Sequence, residues 1–154
     1  MATFREHQEA VNCIRQSPDG KWIASGSSDG SVKIWDLRQN RLIQSFDLPG
    51  QRVTTLEYNP QHLTLANGSS DRTVKYWDLE TFASITQTKA DSSSITHLHF
   101  SEWNPEHVFA VSADNLKVWN IENNKLLDCL AAPPKPVADF AVSYHKKYIF
   151  MSCI

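Results

Sequence analysis

Apolar positions along this chain fall in short runs bounded by Gly, Asn, Asp, Pro and Ser, and no long window carries them at helical spacing. The runs predict strands over 11–17, 21–27, 31–37 and 41–48, the first two flanking the turn Pro18-Asp19-Gly20. The same order of four returns over 53–59, 63–69, 73–79 and 83–89, and again over 95–101, 108–113, 116–121 and 125–131. Two further runs, 137–143 and 148–154, begin a fourth set. The expected architecture is all-β, without a helix.

The third strand of each set says how the sets pack. Trp35, Trp77 and Trp119 stand 42 residues apart, inside the phrases Val32-Lys33-Ile34-Trp35-Asp36-Leu37, Val74-Lys75-Tyr76-Trp77-Asp78-Leu79 and Leu116-Lys117-Val118-Trp119-Asn120-Ile121. Successive strand side chains point to opposite faces, so Val32 and Ile34 face one way while Trp35 and Leu37 face the other. Both faces are apolar, which suits a sheet sandwiched between two neighbouring sheets. A period of about 40–45 residues carrying a Trp-Asp dipeptide and four strands is that of a WD-type β-propeller blade. The chain therefore reads as one partial propeller domain over 1–154. Its blades fall at 9–48, 51–89 and 93–132, with a half blade at 136–154. Closed propellers hold about four to eight blades, so the arc is expected to belong to a longer protein with a ring of about seven.

Composition removes several alternatives. The net charge of −2 over 154 residues carries no basic bias, and the densest basic run is His145-Lys146-Lys147, so nucleic acid is not an expected partner. The three cysteines, Cys13, Cys129 and Cys153, are far apart and form no CxxC pair, which reads as reduced thiols and no disulfide framework. Arg5, Glu6, His7 and Glu9 interrupt any N-terminal signal segment, and the longest apolar run, 148–154, is too short to span a bilayer. No membrane association is expected, and the Asn67-Gly68-Ser69 sequon counts as a chance match. No glycine-rich phosphate motif is present, and neither a cofactor nor a metal is expected.

His7, Ser25 and Asp29 supply the residue types of a nucleophilic triad. With Trp35 they also resemble the structural tetrad of WD-repeat proteins. There the indole N–H, a strand hydroxyl, an inter-blade imidazole and a turn carboxylate form one buried chain, and a buried indole or imidazole left without a partner is costly. The structural reading is preferred. The second blade keeps Asp71 and Trp77 but has Asn67 and Pro49 at the Ser and His positions. The third keeps Asp114 and Trp119, one residue closer together, with Asp91 at the His position. His97 and His99 share a strand face and suggest half of a metal site, yet no third ligand sits at a telling spacing. Trp22 is expected in the core. Trp103, in a longer loop, is expected to fold back on its blade or to serve as a partner contact.

The chain as a whole resembles the WD-repeat domain of the regulatory subunit of katanin, the microtubule-severing ATPase. Three segments carry the resemblance. They are the stretch from Ala10 to Trp22 running on to Leu37, the stretch from Gly68 to Phe82 with its Glu80-Thr81-Phe82 ending, and Pro136-Val137-Ala138-Asp139-Phe140-Ala141-Val142. The resemblance implies a non-catalytic targeting subunit in the cytoplasm and cytoskeleton, at centrosomes and spindle poles. Its partners would be the catalytic severing ATPase and tubulin or spindle-pole proteins. The alternative is a generic WD-repeat scaffold of another cytosolic or nuclear assembly. By analogy with propellers that bind through loops at one end of the ring, the expected contacts are Ser28, Arg52, Ser70, Arg72 and Asp91.

Overall fold

A computed structural model describes residues 3–133, 137–142 and 149–153. Fourteen strands and no helix occur among them. The first sheet is β1 (Val11–Gln16), β2 (Trp22–Ser27), β3 (Ser31–Asp36) and β4 (Arg41–Asp47), antiparallel and in chain order. The second is β5 (Val53–Tyr58), β6 (Thr64–Ser69), β7 (Val74–Asp78) and β8 (Ser84–Gln87). The third is β9 (Ile95–Phe100), β10 (His107–Ser112), β11 (Asn115–Asn120) and β12 (Lys125–Ala131). A final pair, β13 (Val137–Val142) and β14 (Ile149–Cys153), begins a fourth sheet. The expected basic run His145-Lys146-Lys147 and the strand ends at Ser143, Tyr148 and Ile154 lie outside the described residues.

The first strands of consecutive sheets, β1, β5 and β9, pack side by side, with β13 following on β9. This is blade stacking around an axis, and the fold is a partial WD-repeat propeller. The two-faced Trp strands explain it. Val32 and Ile34 join Val53, Leu56, Leu65 and Trp77 in a core between blades one and two. Val74 and Tyr76 meet Ile95, Leu98 and Trp119 between blades two and three. Leu116 and Val111 meet Val137, Phe140 and Ile149 against the half blade. Beside each Trp the pairing of the third and fourth strands shifts register, at Ile34/Trp35, Tyr76/Trp77 and Val118/Trp119. This bulge recurs at the same place in each blade, and Trp77 and Trp119 lie in the cores shared with the preceding blade.

Two glycines set the blade spacing. A Cβ on Gly68 would stand 2.7 Å from Ile95 Cγ2 and 2.8 Å from Thr55 Cγ2, and one on Gly26 would overlap Val53. The next blade's inner strand therefore lies directly against bare backbone. By register the third-blade counterpart is Val111, which pairs with Leu116 as Gly26 pairs with Val32. The half blade packs less extensively on its neighbour than the full blades do. Trp22, expected in the core, is half-buried at its edge, packed toward Phe82 with ring centroids 6.4 Å apart.

Candidate partner-binding face

At one end of the arc lie the turns between second and third strands and the loops that lead into the next blade. The hydrogen bonds there start from the Trp strands. Trp35 Nε1 donates to Ser25 Oγ at 2.8 Å, and Ser25 Oγ is 2.7 Å from His7 Nε2. His7 Nδ1 lies 2.9 Å from Ser31 Oγ and 3.3 Å from Asp29 Oδ2. Ser31 spends its own proton on Asp29 Oδ1 at 2.7 Å. His7 must then donate from Nδ1, and Nε2 accepts the Ser25 proton, so one tautomer satisfies the whole chain. Burial pushes the Asp29 carboxyl up, but the Ser31 hydroxyl, the Gln8 and Ser31 N–H groups and His7 outweigh it and hold it below the ordinary carboxylate range. The four residues picked from the sequence, His7, Ser25, Asp29 and Trp35, are thus brought together.

In blade two the set is split in half. Trp77 Nε1 donates to Asn67 Oδ1 at 2.7 Å, while the Asn67 amide nitrogen is buried without a partner. Asp71 bonds instead to the Thr73 hydroxyl at 2.7 Å and to Lys75 Nζ at 2.6 Å. Burial raises the Asp71 carboxyl, and Lys75 and Thr73 bring it below its usual value. An ammonium from the strand therefore replaces the absent imidazole. Spacing from Trp77 did not reveal that, although Lys75 lies in the repeated phrase.

Blade three has no such set. Its β10–β11 turn is one residue shorter, so the position that pairs with the repeated lysine is Ala110, where the other blades have Ser25 and Asn67. Alanine offers the Trp119 indole nothing to bond. Asp114 accepts from the Ser92 hydroxyl at 2.8 Å, and Asp91 pairs with Lys117 at 2.9 Å. Burial raises Asp91 and Lys117 and Ser92 more than offset it, leaving the carboxyl low. Asp91, expected as a surface contact, is buried and its charge is taken by Lys117, so it is withdrawn from the contact set.

The other expected contacts distribute as follows. Arg52 and Arg72 are both exposed, and Arg72 holds φ at 72°, where the first blade has Gly30 at 82°. The Arg52 N–H donates to Ser70 Oγ at 2.9 Å and Ser70 N–H returns a bond to the Arg52 carbonyl, which ties loop to turn. Ser28 is half-buried and bonded to Asn12. Trp103 lies at the opposite end, beside the turn after β9, with 38% of its surface exposed and its ring edge-on to Phe109. Trp103, the separate loop candidate, thus lies apart from the end that carries Ser28, Arg52, Ser70 and Arg72.

The histidine pair has protein neighbours. His97 Nε2 is 3.0 Å from the Ala138 carbonyl, and His99 Nδ1 is 3.4 Å from Glu57, which also pairs with Arg15 at 2.9 Å. Arg15, Glu57 and His99 stand 42 residues apart on three consecutive inner strands, a row that the repeat contained and the sequence reading missed.

Comparison with known proteins agrees with this geometry. The family model described as WD domain, G-beta repeat matches residues 1–36 and 40–78. Ribosome biogenesis protein BOP1 of Mus musculus is 38% identical over 47 residues, 30% of this chain and 6% of that protein. Ribosome assembly protein 4 of Saccharomyces cerevisiae is 44% identical over 46 residues, 30% of this chain and 9% of that protein. The crystal structure of the RRP9 WD40 repeats superposes with a TM-score of 0.82 at 20% identity, covering 88% of this chain and 43% of that one. The chain thus corresponds to a small part of these curated relatives and to under half of the solved structure. It carries WD40 repeats in a partial propeller fold. The katanin expectation is corrected: these relatives are named for ribosome biogenesis and assembly, not for microtubule severing. The severing ATPase and tubulin or spindle-pole proteins as partners, and the cytoplasmic, cytoskeletal, centrosomal and spindle-pole location, are withdrawn with it. The described residues of the segments that suggested katanin lie mostly in the strands and turns of the blades.

Proposed function

We propose that this chain is a non-catalytic interaction segment of a ribosome-assembly protein, offering the end of the arc that carries Arg52, Arg72, Ser28 and Ser70 to a protein partner. The observation that carries the reading is the similarity of a stretch of this chain to ribosome biogenesis and assembly proteins, 38% identity over 47 residues to one and 44% over 46 to another. His7, Ser25, Asp29 and Trp35 act in it as a lock that holds the first blade's turn. Ser25 is 5% exposed and its proton is committed to His7, so no substrate reaches it. The exposed arginines supply adaptable polar contacts around whatever buried anchor the partner brings.

The test is affinity capture of the tagged chain within its full-length protein, followed by gradient sedimentation. Ribosomal precursor particles should co-purify with the wild type, and Arg52→Glu with Arg72→Glu should reduce them severalfold at unchanged melting temperature. Capture of an unrelated assembly with no precursor particles would overturn the assignment.

A further inference from the structure

Three exposed cations gather at one end of blade two: Arg52 in the loop before β5, Arg72 in the β6–β7 turn and Lys89 after β8. The backbone holds their segments together. The Ser70 N–H donates to the Arg52 carbonyl at 2.9 Å, the Asp91 N–H to the Arg72 carbonyl at 2.7 Å and the Thr88 N–H to the Val74 carbonyl at 2.9 Å. The repeat shows that the fold does not require cations at these places. Blade one, 42 residues earlier, has Ala10, Gly30 and Asp47 there. Blade three has Ser94 and Ala131 at two of them, and the third is the residue by which its β10–β11 turn is shorter.

Arg72 is held against its own conformational preference. Its φ of 72° lies in the left-handed region that Gly30 occupies at 82° one blade earlier, where a residue with a β carbon is disfavoured. Glycine would serve this turn better, and what arginine adds is a guanidinium at its tip. Side chains kept in such conformations cluster at functional sites.

The carboxylates nearby are already committed. Asp71 pairs with Lys75 at 2.6 Å, and the buried Asp91 pairs with Lys117 at 2.9 Å. Among the described residues, Arg52, Arg72 and Lys89 enter no ion pair. The strand lysines thus neutralise the acids of this end and leave its surface cationic. That surplus is one blade wide. On one side blade one exposes Glu6, Glu9 and Asp47 against Arg5, and on the other blade three exposes Asp114.

We infer that Arg52, Arg72 and Lys89 bind a short acidic segment of a partner protein, about three carboxylates long to match the three cations. The inference rests on the reading that this end meets a protein partner, and it adds the partner's chemistry. Each guanidinium can grip a carboxylate through two N–H donors. A long polyanion would run onto the carboxylates of blades one and three and be repelled there. Nucleic acid is disfavoured on that ground. It also lacks a stacking surface, since among the described residues no aromatic side chain is exposed at this end.

The probe is blocked triglutamate, titrated at low ionic strength into the isotope-labelled full chain and followed by NMR. Blocked triglutamine and a uridine tetranucleotide, whose three phosphodiesters match the peptide's charge, are titrated beside it. The amide signals of Arg52, Ser70, Arg72 and Lys89 should move with triglutamate, and should stay in place with triglutamine or once added salt screens the charges. Arg72→Gly restores the residue of blade one, so its melting temperature should equal or exceed that of the wild type. Its binding should fall by about twofold to fivefold, the range for one exposed ion pair. Arg52→Ala, Arg72→Gly and Lys89→Asp together give blade two the end of blade one and should abolish binding. The inference fails if triglutamate leaves those signals unmoved at millimolar concentration, or if both variants bind as the wild type does. It fails equally if the tetranucleotide binds more tightly than triglutamate. No precursor particle enters this titration. Particles captured without triglutamate binding would strike the acidic segment alone, and binding without particles would strike the ribosome-assembly reading alone.

Discussion

Phe4 lies over the Trp35 indole with ring centroids 4.9 Å apart. Phe46, one 42-residue period later, stacks on Trp77 at 4.3 Å. The segment that carries Phe4 and His7 therefore gives blade one what β4 gives blade two, an aromatic cover for the Trp face. The cover is partial. Val11 and Ile14 are 46% and 56% exposed, whereas Val53 and Leu56, at the matching positions, are sealed against blade one.

The lock on blade one should be measurable by comparing two turn carboxylates. Asp29→Ala removes an acceptor of bonds from Ser31, the Gln8 N–H and His7, and should cost about 1–3 kcal/mol. Asp114→Ala loses one exposed bond to Ser92 and should cost under about 0.5 kcal/mol. Thermal melts of the two variants decide it, and equal shifts would show that the His7–Asp29 linkage does not stabilise the blade.

Acid should weaken the arc from below pH 4. Asp29, Asp71 and Asp91 have carboxyls lowered from the ordinary value of 3.8, so their contribution is complete above that value and is lost as pH falls through the lowered folded-state values. Lys75→Met removes the ammonium that holds Asp71 low, so the acid transition of this variant should begin at higher pH than in the wild type. A pH series of chemical melts checks the sign. An unchanged midpoint would show that the Asp71–Lys75 pair makes no net contribution.

Blade spacing can be tested at Gly68. Gly68→Ala places a methyl against Ile95 and Thr55, and overpacking of that kind typically costs about 1–3 kcal/mol. Gly50→Ala meets nothing within 4 Å, so its cost is limited to holding alanine at a φ of 76°, of order 1 kcal/mol. Melting temperatures should rank wild type, then Gly50→Ala, then Gly68→Ala, and the reverse order of the two variants would remove the close-approach argument.

The repeat of Trp35, Trp77 and Trp119 and the two-faced apolar strands were enough to specify the blades, because strand alternation and burial on both faces are local properties of sequence. The residues of the His7, Ser25, Asp29 and Trp35 set were legible for the same reason, each holding a fixed place in the repeat. The protein's broader role was not legible from the katanin-like segments, since a blade phrase is dictated by packing that every blade shares. Tertiary structure alone decided the rest. It gave Asp71 to Lys75 and Asp91 to Lys117, placed Ala110 opposite the lysine of blade three, and separated Trp103 from the arginine end. It also left the Tyr58 hydroxyl buried without a hydrogen-bond partner among the described residues. Those outcomes depend on distances between blades, and a change of one residue in a turn, as at 101–106 or between β10 and β11, shifts which side chains meet without altering the pattern along the strands.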